Sequence, residues 1–200
     1  MRVAPPNHFY PELSDARLSA IAAKLLDLRF VTLLEMQSRF DDNYTRETVV
    51  FGRTRNMLID MAMRGGYEWM TLVHAGMDVT IRIGNIPCRY FRDDSSSPEK
   101  AGFFKRNLVD DLFATDDGEP VMWRFIVERA LIEEDEDRVF FAGYNIFHEK
   151  VSEWVYSASN PLLHAIDRDV PNSTAIPSAV VGLRDDHVDD SVERKIGNGE

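Results

Sequence analysis

Apolar residues along this chain change their spacing several times, and each change marks an element. Leu18, Ile21, Ala22, Leu25 and Leu28 recur every three or four positions behind Ser14 and Asp15, which read as an N-cap and a first-turn acid. A second stripe, Leu26, Phe30, Leu33 and Leu34, then takes over. The helix predicted over 14–40 is therefore curved or buried on more than one face. Thr45 reads as the cap of a second helix, 46–64, with Val50, Met57, Leu58 and Met61 on its apolar side and Gly65-Gly66 closing it. Ahead of both, Pro5, Pro6 and Pro11 make 1–13 an irregular lead-in that Phe9, Tyr10 and Leu13 can dock.

From 67 onward the period shortens to two. A strand is predicted at 67–75, and 78–83 alternates strictly, with Val79, Ile81 and Ile83 opposite Asp78, Thr80 and Arg82. Gly84-Asn85 is a two-residue hairpin turn, and 86–91 returns. Pairing across it sets Ile83 against Ile86, Ile81 against Cys88, Val79 against Tyr90, Arg82 against Pro87 and Thr80 against Arg89. Cys88 then belongs to the apolar face, and Pro87 argues for a strand at the sheet edge. A loop at 93–98 and a helix at 99–114 follow. The aromatic-rich stretch 121–157 supplies three more strands, 121–132, 138–144 and 150–157. Val121, Trp123, Phe125, Val127 and Leu131 share one face of the first, Arg124 and Glu128 the other.

These elements predict one α+β domain over 1–183: an N-terminal helix pair and one further helix packed on an antiparallel sheet. Runs of helix, strands, helix and strands argue against a parallel βαβ sheet. Residues 170–183 read as an extended C-terminal arm, and the acidic, aromatic-free 184–200 as a disordered tail. The order of elements, with the 79–91 hairpin and the later Gly143-Tyr144-Asn145 loop, resembles small bacterial proteins in general and implies no activity.

Charge adds an asymmetry. The net charge is −11, but residues 1–92 hold 12 Lys/Arg against 10 Asp/Glu, while 93–200 hold 11 against 24. Such an acidic half disfavours phosphate backbones and anionic lipid and suits a basic protein partner. No run approaches the roughly 18 apolar residues of a membrane span. The opening Met1-Arg2-Val3-Ala4-Pro5-Pro6 lacks the apolar core of a secretory signal, and the single cysteine, Cys88, permits no internal disulfide. The expectation is a soluble cytoplasmic protein.

Candidate chemistry is sparse. The five histidines stand in no paired metal-ligand spacing, and no nucleophile elbow or phosphate-binding loop occurs. The expectation is neither metal nor cofactor. Glu35 and Asp78, with the hairpin behind them, imitate two parts of a restriction-endonuclease-type metal site. The third part fails, because Cys88-Arg89-Tyr90 stands where a carboxylate and a lysine belong. Arg39, Arg46 and Arg53 fall seven apart, with Arg55 beside them, as a possible phosphate-binding face; Glu35, Asp42 and Glu47 are near enough to pair with them instead. Tyr144 and Trp154 are the aromatic residues placed for recognition, and Glu133, Glu134, Asp135, Glu136 and Asp137 form an acidic turn. The expected function is non-enzymatic protein–protein contact, as a regulatory or accessory subunit. The alternatives are a divergent metal-dependent nuclease or hydrolase using Asp78 and Glu35, and nucleic-acid binding through the arginines.

Overall fold

A computed structural model describes residues 3–64, 66–105, 118–130 and 136–157. The predicted arm and tail, the acids Glu133, Glu134 and Asp135, and most of the predicted 99–114 helix lie outside the described residues. The elements are α1 (Pro6–Phe9), α2 (Asp15–Glu35) and α3 (Asn43–Met63), then β1 (Met70–His74), β2 (Thr80–Ile83) and β3 (Ile86–Arg92). They are followed by β4 (Met122–Glu128), β5 (Arg138–Tyr144) and β6 (Lys150–Val155). The class is α+β.

Helix α2 begins at Asp15 behind the expected N-cap Ser14, whose side chain makes no cap bond, and ends at Glu35, short of 40. Beyond it the Ser38–Asp41 turn has its own bonds: Ser38 N–H donates to the Asp41 carboxylate at 2.8 Å and Asp41 N–H to the Ser38 carbonyl at 2.9 Å. Such local bonds compete with continued helix. Asp42, not Thr45, caps α3. Its carboxylate accepts the Thr45 N–H at 2.7 Å, so the helix begins three residues earlier and Thr45 is the residue whose orphan donor is satisfied. The lead-in contains the single turn α1, which fits Pro6 at a first helical position.

All six predicted strands form, and they lie side by side in chain order, β1-β2-β3-β4-β5-β6. The hairpin register is the expected one for Ile83↔Ile86, Ile81↔Cys88, Arg82↔Pro87 and Thr80↔Arg89. Gly84 takes φ +60° at the turn, the left-handed region that glycine enters freely. Two expectations are corrected. The sheet is mixed, because β3 and β4 run parallel, with Cys88 beside Trp123 and Arg92 beside Val127. A parallel pair requires a crossover connection, and the stretch between Arg92 and Met122 is long enough to supply one. Nor is β3 an edge strand, Pro87 notwithstanding. Pairing with β4 begins only at Cys88, so the missing N–H falls where β3 has a neighbour on one side alone.

A third correction concerns residues 99–105, which are turns rather than the start of a helix, with Gly102 at φ +85°. They carry Phe103 onto the sheet face away from the helices. One face packs Leu18, Ile21, Leu25 and Leu58 against Ile81, Cys88, Phe125 and Phe141. The other buries Phe103, Val121, Met122, Ile126, Phe140, Ala142 and Tyr144. Strand β4 is thus buried on both faces, which explains its nearly unbroken apolar sequence. Val121 falls in the second cluster, not with Trp123. The edge at β6 is partly covered: Ala4 bridges to Ser152, and the Ser152 hydroxyl donates to the Ala4 carbonyl at 2.9 Å.

Trp123 stacks on Phe141 with ring centres 5.2 Å apart and lies opposite Gly143 in the register. A Cβ on Gly143 would stand 2.8 Å from the Pro120 Cβ and 2.9 Å from the Trp123 ring. Gly143→Ala is therefore expected to destabilise the fold by about 1–3 kcal/mol through overpacking. Urea unfolding checks this, and an unchanged midpoint would count against the packing described.

Candidate functional site

The helix pair meets the sheet through a charge. Arg29 falls on the buried stripe of α2, four positions after Leu25 and three before Thr32. A guanidinium in that place needs partners. It forks onto Glu47 of α3 with two bonds of 2.9 Å, and its Nε donates to Asp137, just ahead of β5. Arg92 at the end of β3 holds the same Glu47 at 2.9 Å. Two helices and two strands thus share one ion-pair cluster.

Its electrostatics follow from burial and pairing together. Burial alone would raise the Glu47 carboxyl, but hydrogen bonds from Arg29 and the charges of Arg29 and Arg92 outweigh it and hold Glu47 below the ordinary carboxylate value. Burial alone would likewise lower the Arg29 guanidinium, and its two carboxylates raise it instead. Tyr90, two residues before Arg92 on β3, is pushed up to about 12 by burial, with its hydroxyl in hydrogen-bond contact with Thr54.

Beside this cluster a cleft of about 350 Å³ opens between α3, β3 and the loop leading to Lys100. Tyr44, Thr48, Val50, Phe51 and Met77 supply its apolar side, and Glu47, Tyr90, Arg92 and Lys100 its polar one. Partial burial and the neighbouring Arg92 lower the Lys100 ammonium from its ordinary value.

The residues singled out from sequence are dispersed. Glu35 pairs with Arg53, while Asp78 stands 3.0 Å from His74 Nε2 and 3.7 Å from Arg89. Among the described residues, no three His, Cys, Asp or Glu side chains are placed to hold a metal ion. Arg46 donates to the Met36 carbonyl at 3.0 Å, Arg53 also donates to Thr32, and Arg55 bonds the carbonyls of Ala75 and Gly76. Arg39 lies over the Phe40 ring, 4.5 Å from its centre. Tyr144 is buried in the second core, whereas Trp154 packs on the helix side and donates its indole N–H to Asp15 at 2.8 Å. The two aromatics therefore share no surface. Asp137 belongs to Arg29, Glu136 is exposed, and Glu133, Glu134 and Asp135 lie outside the described residues.

Sequence reading missed three arginines. Arg29 could have been flagged, because it interrupts the Leu18–Thr32 stripe at helical spacing. Arg124, on the face opposite Trp123 as expected, is fully buried, donating to the Phe103 and Trp123 carbonyls at 3.1 and 3.0 Å. Arg89, its register neighbour, donates to the Lys105 carbonyl at 3.0 Å. Both fasten the 103–105 turn to the sheet. Nothing local in the sequence announced that layer.

Surface apolar residues are unevenly spread. Phe30, Val31 and Leu34 on the last turns of α2, Phe40 in the following loop and Tyr44 at the start of α3 are all exposed. No described helix is long and apolar enough to cross a membrane. No family model matches the chain, and comparison with curated proteins and with solved structures gives no match either.

Replacing Arg29 with Met should cost about 3 kcal/mol, because Glu47 and Asp137 lose the partner that offsets their burial. Glu47 also gives stability a pH dependence. Its folded pKa lies below the ordinary 4.5, so its contribution is complete above that value and is lost as pH falls through the folded one. Urea unfolding at stepped pH should show the acid slope, reduced in Glu47→Gln. An identical slope in the variant would remove Glu47 from this role.

Proposed function

We propose that the protein works by contact with another protein, as a non-enzymatic regulatory or accessory subunit of the cytoplasm. The contact is made by the free end of the α2–α3 hairpin. The observation that carries this reading is the crowding of exposed apolar side chains there. Of the ten large apolar residues exposed among the described residues, five lie between positions 30 and 44. Phe30 is 64 % exposed, Leu34 52 %, Phe40 75 % and Tyr44 79 %. Such a cluster is uncommon on a surface with nothing to bind, and large aromatic anchors dominate binding energy where interfaces form.

Phe30 and Leu34, one helical turn apart, present one stripe, with Val31 alongside. The Arg29 cluster fixes the hairpin against the sheet beneath them, so little ordering is lost on docking. The net charge of −11 favours the approach of a basic partner at long range. The geometry supports the other readings less. Arg46, Arg53 and Arg55 are already bonded within the chain, and Glu35 and Asp78 sit in separate ion pairs.

Affinity capture from native lysate, followed by light scattering of the purified complex, tests the proposal. Wild type and the remote control Met63→Glu are expected to retain one stoichiometric partner that Phe30→Glu/Leu34→Glu loses, with unfolding midpoints unchanged. A partner retained by the double variant, or a chain that stays monomeric and captures nothing, contradicts it.

A further inference from the structure

The cleft beside the Arg29 cluster has a composition the hairpin contact does not use. Phe51 and Met77 line it together with Arg92 and Lys100. Its volume, about 350 Å³, falls in the range of small-molecule sites, roughly 300–1,000 Å³.

The anions nearby are already committed. Both oxygens of Glu47 receive guanidinium N–H groups, from Arg29 and Arg92. Asp93 accepts the backbone N–H groups of Asp94, Glu99 and Lys100 at 3.0, 3.1 and 2.8 Å. That carboxylate folds the loop, and the folded loop sets Lys100 close enough to Arg92 for the two to repel. Among the described residues the Lys100 ammonium has no hydrogen bond or ion pair, and Arg92 has only Glu47. Glu47 and Asp93 act on Lys100 only through space, with their oxygens taken by other donors, so a carboxylate entering the cleft would be the first anion to bond its ammonium directly.

We propose that this cleft binds a small organic carboxylate with an aromatic or aliphatic body, its head on Arg92 and Lys100 and its body along Phe51 and Met77. A guanidinium beside an ammonium matches a planar carboxylate. Glu47 lines the same cleft and disfavours a more highly charged anion such as a phosphate dianion. The bound head relieves the Arg92–Lys100 repulsion and replaces the water each cation holds.

The test is calorimetric titration of the full chain with 4-phenylbutyrate, with its uncharged amide, 4-phenylbutanamide, as control. Saturable binding of the carboxylate is expected, at least ten-fold tighter than the amide, with amide-proton NMR shifts centred on Phe51, Met77 and Lys100. Lys100→Gln and Met77→Glu, both at exposed side chains, should each weaken it ten-fold or more, while Lys100→Arg retains it. Phe30→Glu should leave it unchanged, which separates this site from the hairpin contact. Equal binding of acid and amide, shifts centred elsewhere, no effect of Lys100→Gln, or no saturable binding at millimolar carboxylate would each overturn the proposal.

Discussion

A guanidinium on the buried face of a helix cannot be left without counter-charge, and Arg29 imposes that condition on most of this fold. Glu47 and Asp137 are 18 and 108 residues away in sequence, yet both must reach it. Meeting the requirement sets the angle of α2 against α3 and pins the start of β5 beneath them. It draws in Arg92 as well, since Glu47 can satisfy both arginines at once. Hydrophobic burial along Leu18, Ile21, Leu25 and Leu58 supplies most of the driving force, but apolar packing tolerates sliding, and an ion-pair fork does not.

The two surfaces given a role both border this cluster. Beyond Arg29 the last turns of α2 have no further sheet to cover, so Phe30, Val31 and Leu34 are left facing outward. On the other side of Glu47, Arg92 and the Asp93-organised loop leave Lys100 beside an apolar wall. A rigid hairpin end and a charged cleft with one apolar side suit recognition. Among the described residues, no three His, Cys, Asp or Glu side chains are placed to hold a metal ion.

Local signals made much of this architecture legible. Strict alternation over 78–83, followed by Gly84-Asn85, gave four correct register pairs, and 138–144 was bounded to the residue. Non-local choices were not legible. Whether β4 runs parallel or antiparallel to β3 depends on the path of the crossover, and no residue in either strand encodes it. Pro87 pointed to an edge because its missing N–H was counted without its position, one residue before β4 joins. The second core is invisible locally because Phe103 comes from a turn within a stretch of helical spacing, and the alternation that puts Arg124 opposite Trp123 does not say what covers that face. Of the candidate site, the arginines were visible but their partners were not: pairing Arg53 with Glu35 was within reach, and Arg29 with Asp137 was beyond any local rule.

The measurement that tests the central claim most directly is a double-mutant cycle between Arg29 and Asp137, using Arg29→Met, Asp137→Asn and the pair. If the cluster locks the hairpin to the sheet, the two losses are strongly non-additive, with a coupling energy above about 1 kcal/mol. Additive losses would mean that Arg29 is merely tolerated in the core, and that the hairpin's position is set by something else.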